Sequence, residues 1–446
     1  MPPRSLFAVH FPCRWIIVCC VVVAACGCGR KIVEVEEISL ESSGVEIRDV
    51  SHAHLADQWP MWRGPSENGV APLQEPTTEW DAATNIRWMT DIPGRGHSSP
   101  VVVGDLVILT TAIDDQQKQI VLGYDRATGQ QRFATTVHEG GFPDAREVHR
   151  KASNANNTVA CDGTRIYSVF FNSGRIIATT LDMAGKIAWQ KELGPFRSRF
   201  GFAPSPVLYK SLVIYAADNV GGGYIVALDA ETGQVAWRVA RPAINSHSSP
   251  LIARVGGRDQ LLIPGCNQVV SYDPQTGKQL WSAAETSETT CGTMVALDDM
   301  VFAAGGYPNA QTVALSADGR KVWENRTKVY EPSLLAVDGH LYAVADNGIA
   351  YCWSARDGTE RWKKRLGGGF SSSPVYCNGR IYVSNLAGRH FVFAANPERF
   401  ESIATNTLGD DCYASPAIVD GHIFTRIGFS TGTQRQERLV CIADAE

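Results

Sequence analysis

The chain has 446 residues, a formal net charge of -5, and 44% hydrophobic against 20% charged residues. That length exceeds one ordinary domain, so it demands several domains or one large repeat architecture. The balance is ordinary for a folded protein, and the lack of any strongly basic field excludes nucleic acid as a partner.

The N-terminus reads as an address. Arg4 and Arg14 precede an uncharged run over residues 15–25, too short to span a bilayer as a helix and therefore predicted to be a signal peptide. The run ends Val23-Ala24-Ala25-Cys26-Gly27, which resembles a bacterial lipobox: an aliphatic residue, two small ones that let the backbone enter a peptidase, then the cysteine that takes lipid. Residues 1–26 are thus expected to be a signal peptide with lipobox, and Cys26 the lipid attachment site. The resemblance implies a diacylglyceryl thioether and an N-acyl chain, enough to hold the chain to a membrane. An ordinary signal peptide cut after Ala25 without lipidation is the other reading. Cys28 is a poorer acceptor, because Cys26 would fill its third upstream position. Either way the chain is expected to be exported, to the periplasm or cell envelope. Residues 27–57, acidic and poor in aromatics, are expected to be an extended linker.

Residues 58–446 are expected to be one repeat domain. It opens Trp59-Pro60-Met61-Trp62-Arg63-Gly64-Pro65, then reaches Asn85-Ile86-Arg87-Trp88, an aromatic strand with no unit before it. Two turn signals then alternate. The first joins two apolar runs through a two-residue turn, at Gly104-Asp105, Asp162-Gly163, Tyr209-Lys210, Gly256-Gly257, Asp298-Asp299, Asp338-Gly339, Asn378-Gly379 and Asp420-Gly421. The second is a strand ending near Asp, a Gly-containing turn, then a strand bearing Phe133, Trp189, Trp237, Trp281, Trp323 or Trp362, with a degenerate copy over 394–403. Each unit holds four short strands in about 40–50 residues, the size of one propeller blade. No stretch after residue 85 sustains a helical apolar period.

The eighth unit lacks an aromatic strand, and residues 85–91 supply one without a unit. Pairing the two predicts an all-β, eight-bladed propeller of four-stranded antiparallel blades, its ring closed by the N-terminal strand, with no open sheet edge. The repeated "ALD..TG...W" signature, with Ser-Pro starting the inner strands at Ser99, Ser205, Ser249, Ser373 and Ser415, resembles the quinoprotein or PQQ-like repeat family. The chain is similar to outer-membrane assembly lipoproteins of the BamB type and to exported planctomycete PQQ-like repeat proteins. That resemblance is specific for fold and unspecific for function. It implies a scaffold for an envelope protein partner, with no cofactor. The alternative it leaves open is a PQQ-dependent oxidoreductase, which would bind pyrroloquinoline quinone with calcium. Such enzymes commonly stack a vicinal disulfide on the quinone, and the one adjacent cysteine pair here, Cys19-Cys20, lies in the signal peptide.

Candidate site residues lie on the loops. His97-Ser98-Ser99-Pro100 and His247-Ser248-Ser249-Pro250 repeat the same four residues where inner strands begin, which places both imidazoles at the channel mouth. They serve there as ligands or as plain repeat residues satisfied by backbone; no metal set is assigned, since no third histidine occupies that position. The longest interruption, residues 138–158, carries His149 and Arg150, and the loop at 195–200 carries Arg197 and Arg199 beside phenylalanines, a composition enriched at binding surfaces. Five of the 12 cysteines fall in the first 28 residues and seven are dispersed singly, which reads as buried strand residues rather than a metal or redox motif.

Overall fold

The computed structural model describes residues 44–432 and 434–444, so Cys26 and residues 27–43 of the expected linker lie outside the described residues. Eight four-stranded antiparallel sheets follow one another along the chain. Blades 1 to 7 span residues 101–139, 160–195, 207–241, 251–283, 295–325, 335–365 and 375–407. Blade 8 takes three strands from residues 417–442 and its outer strand from Ile86–Ile92, which pairs antiparallel with Gln434–Ile442 and sets Trp88 opposite Cys441. The N-terminal strand closes the ring as the missing aromatic strand required.

Six of the eight turns fall where the sequence places them, and two move by one residue. In blade 2, Asp162 remains paired with Arg165 because its carboxylate accepts the Thr164 and Arg165 N–H groups, so the chain reverses at Gly163-Thr164. In blade 3, Tyr209 pairs with Leu212, and Lys210, at φ +52°, takes the left-handed position that the bulkier ring would resist.

The outer-strand aromatics fasten each blade to the next. Trp189 donates its indole N–H to the carbonyl of Ala230 in the following blade, and its ring covers Gly233, whose φ is +71° and where a Cβ would come within 2.9 Å of the indole. The same joint recurs at Trp88 to Arg126, Trp237 to Pro274, Trp323 to Ala355 and Trp362 to Asn396. Trp281 differs, donating to Gln260 of its own blade.

A second fastening runs around the channel. The Ser99 N–H donates to the Thr158 hydroxyl, Thr158 N–H to Ser205, and Ser205 N–H to Ser249. The series resumes with Thr293 to Ser333, Ser333 to Ser373, Ser373 to Ser415, and Ser415 back to Ser99, at 2.8–3.0 Å. This belt explains the Ser-Pro signature: the hydroxyl takes the neighbour's N–H, and the proline after it brings no N–H of its own needing a partner. At the junction of blades 4 and 5 the Thr293 hydroxyl instead accepts the Trp62 indole N–H at 2.8 Å.

Residues 59–74 fill the end of the channel nearest the turns between first and second strands, and they reach every inner strand. Trp59 exchanges both backbone hydrogen bonds with Val102 of blade 1, and the Pro60 carbonyl accepts Cys161 N–H of blade 2. Met61 joins the buried apolar cluster that holds Leu208 of blade 3, and the Glu67 carboxyl accepts Ile252 N–H of blade 4. The Asn68 amide pairs with both backbone groups of Ala296 in blade 5. Arg63 donates to the carbonyls of Leu334 and Pro374 in blades 6 and 7, and Gln74 donates to Ile418 of blade 8. Free strand edges that would otherwise face an empty bore are thereby paired. Before this plug, the described part of the expected linker lies along the same face: Arg48 bonds Asp229 and Glu231, and His52 and His54 meet the Lys210 and Asp162 carbonyls.

Candidate functional site

With one end plugged, the channel opens on the opposite face, where blade-to-blade connections lie, as a cup of about 650 Å³. Its floor is Trp62 with the belt hydroxyls of Ser99, Thr158, Ser205, Ser249 and Thr293. Above the floor stands one residue per blade, two positions before each belt hydroxyl: His97, Asn156, Ala203, His247, Cys291, Glu331, Ser371 and Tyr413. The upper wall adds His149, Lys151, Phe200, Val220, Asn245, Tyr307 and Tyr330.

The eight-membered tier explains the two sequence-predicted imidazoles. His97 and His247 hold equivalent positions three blades apart, and the structure brings both to the cup together with His149 from the 138–158 insertion. His97 stacks on Tyr413, its ring neighbour from blade 8, with centroids 4.2 Å apart and planes 5° apart. Burial, then the guanidinium charges of Arg95, Arg426 and Arg435, hold it well below the ordinary imidazole value. His247 meets Phe200 edge to face, and burial lowers it to about 4. Both rings are therefore neutral at pH 7. Arg150, Arg197 and Arg199 are exposed on the lip and do not line the cup.

Two of the guanidiniums beside His97 belong to the ring closure. Arg426 is ion-paired with Glu437, both fully buried, and reaches into blade 1 to the Thr110 carbonyl at 2.7 Å. Arg435 joins Glu437 to Asp411.

The insertion crosses the mouth. Lys151 meets Glu331 on the far side at 2.7 Å, and Ser371 donates to the other oxygen of the same carboxylate. Asp346 fixes this corner by accepting the N–H groups of Tyr330 and Glu331. Cys291 lies against Tyr330, and burial pushes its thiol up to about 12, so it is no thiolate nucleophile. All seven cysteines of the body are free.

Pyrroloquinoline quinone is a planar tricarboxylate, and the calcium it works with takes about 6–8 oxygen ligands. The cup offers one ammonium, Lys151, already spent on Glu331, and one further carboxylate, Glu288. Among the described residues no three His, Cys, Asp or Glu side chains group to hold a metal. These residues do not fit that cofactor.

The sequence reading reached the histidines because they repeat. It did not reach Asn245, Glu331, Tyr307, Tyr330 or Tyr413, which share no repeated motif. The signal that finds most of the tier is the second position upstream of each belt hydroxyl, visible once Thr158, Thr293 and Ser333 are seen to stand in for the Ser of Ser-Pro.

Residues 74–199, 146–308, 221–339 and 308–397 match the family model described as outer membrane protein assembly factor BamB. A curated relative, 1-butanol dehydrogenase (quinone) of Thauera butanivorans, is 23% identical over 347 residues, covering 72% of this chain and 51% of the relative; the chain thus spans about half that relative's length. Among solved structures, BamB from Moraxella catarrhalis superposes with a TM-score of 0.57 at 16% identity, over 80% of this chain and 98% of that one. A europium-containing methanol dehydrogenase gives 0.65 at 11%, over 87% and 98%, and quinohemoprotein alcohol dehydrogenase from Comamonas testosteroni 0.65 at 14%, over 88% and 82%. At such identities the likeness to the solved structures is one of fold.

Proposed function

The chain belongs to the family described as outer membrane protein assembly factor BamB, and we propose that it is an exported propeller of the cell envelope whose cup face docks a protein partner in outer-membrane assembly. Membrane attachment through Cys26 is part of the same proposal. The observation that carries it is the apolar lip: Phe200, Val220 and Tyr307 are 46%, 48% and 59% exposed, and all three stand around one mouth. Large apolar side chains gathered at a concave site mark a surface made to be covered. Quinone-dependent alcohol oxidation, the activity in the names of the dehydrogenase relatives, is the competing reading, and the donor set of the cup speaks against it.

A photo-crosslinking residue placed at 200 or 307 is expected to yield a discrete adduct with an outer-membrane assembly component in living cells. The same residue at 187 or 322, exposed apolar positions away from the cup, should yield none. A stoichiometric quinone spectrum with dye reduction, after incubation of the purified protein with the quinone and calcium, would overturn the scaffold reading. Mass spectrometry of the mature N-terminus tests the anchor, and an unmodified residue there refutes it.

A further inference from the structure

Three hydrogen-bonding atoms at the cup have no protein partner: Nε2 of His247, Nε2 of His97 and Oδ1 of Asn245. His247 is only 8% exposed. Leaving such atoms orphaned is costly, and folded chains seldom do so without a ligand or water to satisfy them. The carboxamide oxygen of Asn245 can only accept, so an occupant must bring a donor. Both imidazoles are neutral and take either role, and the walls beside them are the rings of Phe200, Tyr330 and Tyr413. The interior favours an uncharged ring that carries an N–H or O–H.

The lip carries charge of one sign on one side. Arg150 stands between the lining residues His149 and Lys151, Arg199 directly precedes Phe200, and the Arg197 carbonyl accepts the N–H of Val220 at 3.2 Å. None of the three arginines has an ion-pair partner among the described residues, whereas neighbouring Arg146 is tied to Asp144. Glu288, exposed on another connection, is the acidic counterpart at the mouth. A polypeptide laid over the arginine side would meet unneutralised guanidiniums, the side chains best suited to paired recognition of carboxylates.

We propose that the cup receives a tyrosine or tryptophan side chain of a partner segment whose flanking residues are acidic. The ring descends between the aromatic walls to His247 and Asn245, and the acidic flank lies over Arg150, Arg197 and Arg199. This rests on the protein-binding reading above and names the chemistry of the partner.

The test measures fluorescence anisotropy of the labelled peptide acetyl-Asp-Glu-Tyr-Glu-Asp-amide on the full mature protein. It is expected to bind about tenfold more tightly than the same peptide with Ala for Tyr, and about tenfold more tightly than acetyl-Lys-Arg-Tyr-Arg-Lys-amide, with the second preference shrinking as salt rises. R197E with R199E, two exposed positions that leave the fold intact, should reverse the charge preference. N245L should weaken the Tyr peptide about tenfold and leave the Ala peptide unchanged, because only the former loses a hydrogen bond. Equal binding of acidic and basic peptides, or indifference to both variants, overturns the proposal. Should crosslinking at 200 capture an assembly component while the peptides show no preference, the occupant is wrong and the scaffold reading stands. A clear peptide preference without any crosslink supports the occupant and removes the assembly role.

Discussion

The two mouths of the channel are built on the same eight inner strands and end in opposite states. At one, residues 59–74 give each strand a contact, most of them hydrogen bonds, and bury Arg63 to 2% exposure with its Nε alone of the guanidinium nitrogens left unpartnered. At the other, His97, His247 and Asn245 keep unpartnered atoms, and apolar side chains stand in solvent. The repeat itself cannot cause this difference, because it is common to both ends. What separates them is one non-repeating segment, which turns a bore into a cup and makes one end structural and the other available.

That contrast can be broken most forcefully at Arg63. Its guanidinium satisfies carbonyls of Leu334, Pro374 and Asn68, so R63A is expected to cost about 4 kcal/mol in equilibrium denaturation, through orphaned carbonyls and a cavity. R197A on the opposite lip should cost about 0.5 kcal/mol or less. Equal losses at the two sites would erase the distinction between the mouths.

Glu67 offers a test by pH. Buried in the plug, its carboxyl is raised from 4.5 to about 8, with desolvation as the main cause and the Ile252 N–H opposing it. The folded value lies above the unfolded one, so its stabilising contribution is complete below about pH 4.5 and is lost as pH rises through about 8. Denaturation midpoints should fall between about pH 6.5 and 8, and E67Q should flatten that slope. The cup histidines act in the opposite sense: neutral in the fold while the unfolded chain protonates below about pH 6.5, they add stability as pH rises toward that value, so the Glu67 fall is read above it.

Smaller effects sharpen the comparison at the floor that the two ends share. S99A deprives the Ser415 N–H of its acceptor at the ring closure and is expected to cost about 2 kcal/mol. W62F keeps the apolar floor but leaves the Thr293 hydroxyl without its indole donor, for about 1 kcal/mol. Both are read by thermal or denaturant unfolding.

Much of the fold was legible because a repeat writes its constraints many times over. A glycine lies under five of the outer-strand tryptophans, a serine precedes proline at five of the eight inner-strand starts, and Trp88 without a unit marked the closing strand. The two shifted turns show the resolution of such reading: a single capping carboxylate at Asp162 moves a reversal by one residue. The plug was not legible. Trp59-Pro60-Met61-Trp62-Arg63 has no period, and its partners lie as far along the chain as Pro374, so local pattern gives no hint of what it meets. The cup was half legible, through histidines at equal repeat positions. Its aromatic wall comes from unlike loops that only ring closure brings together.

The plug also has a consequence for assembly. It is made before any blade, and it offers at least one contact to each of eight inner strands in a fixed spatial order. A ring of seven or nine blades would leave a contact unmatched or a strand unserved. This early segment therefore works as a gauge, recording the size of a ring whose last member is synthesised some hundreds of residues later.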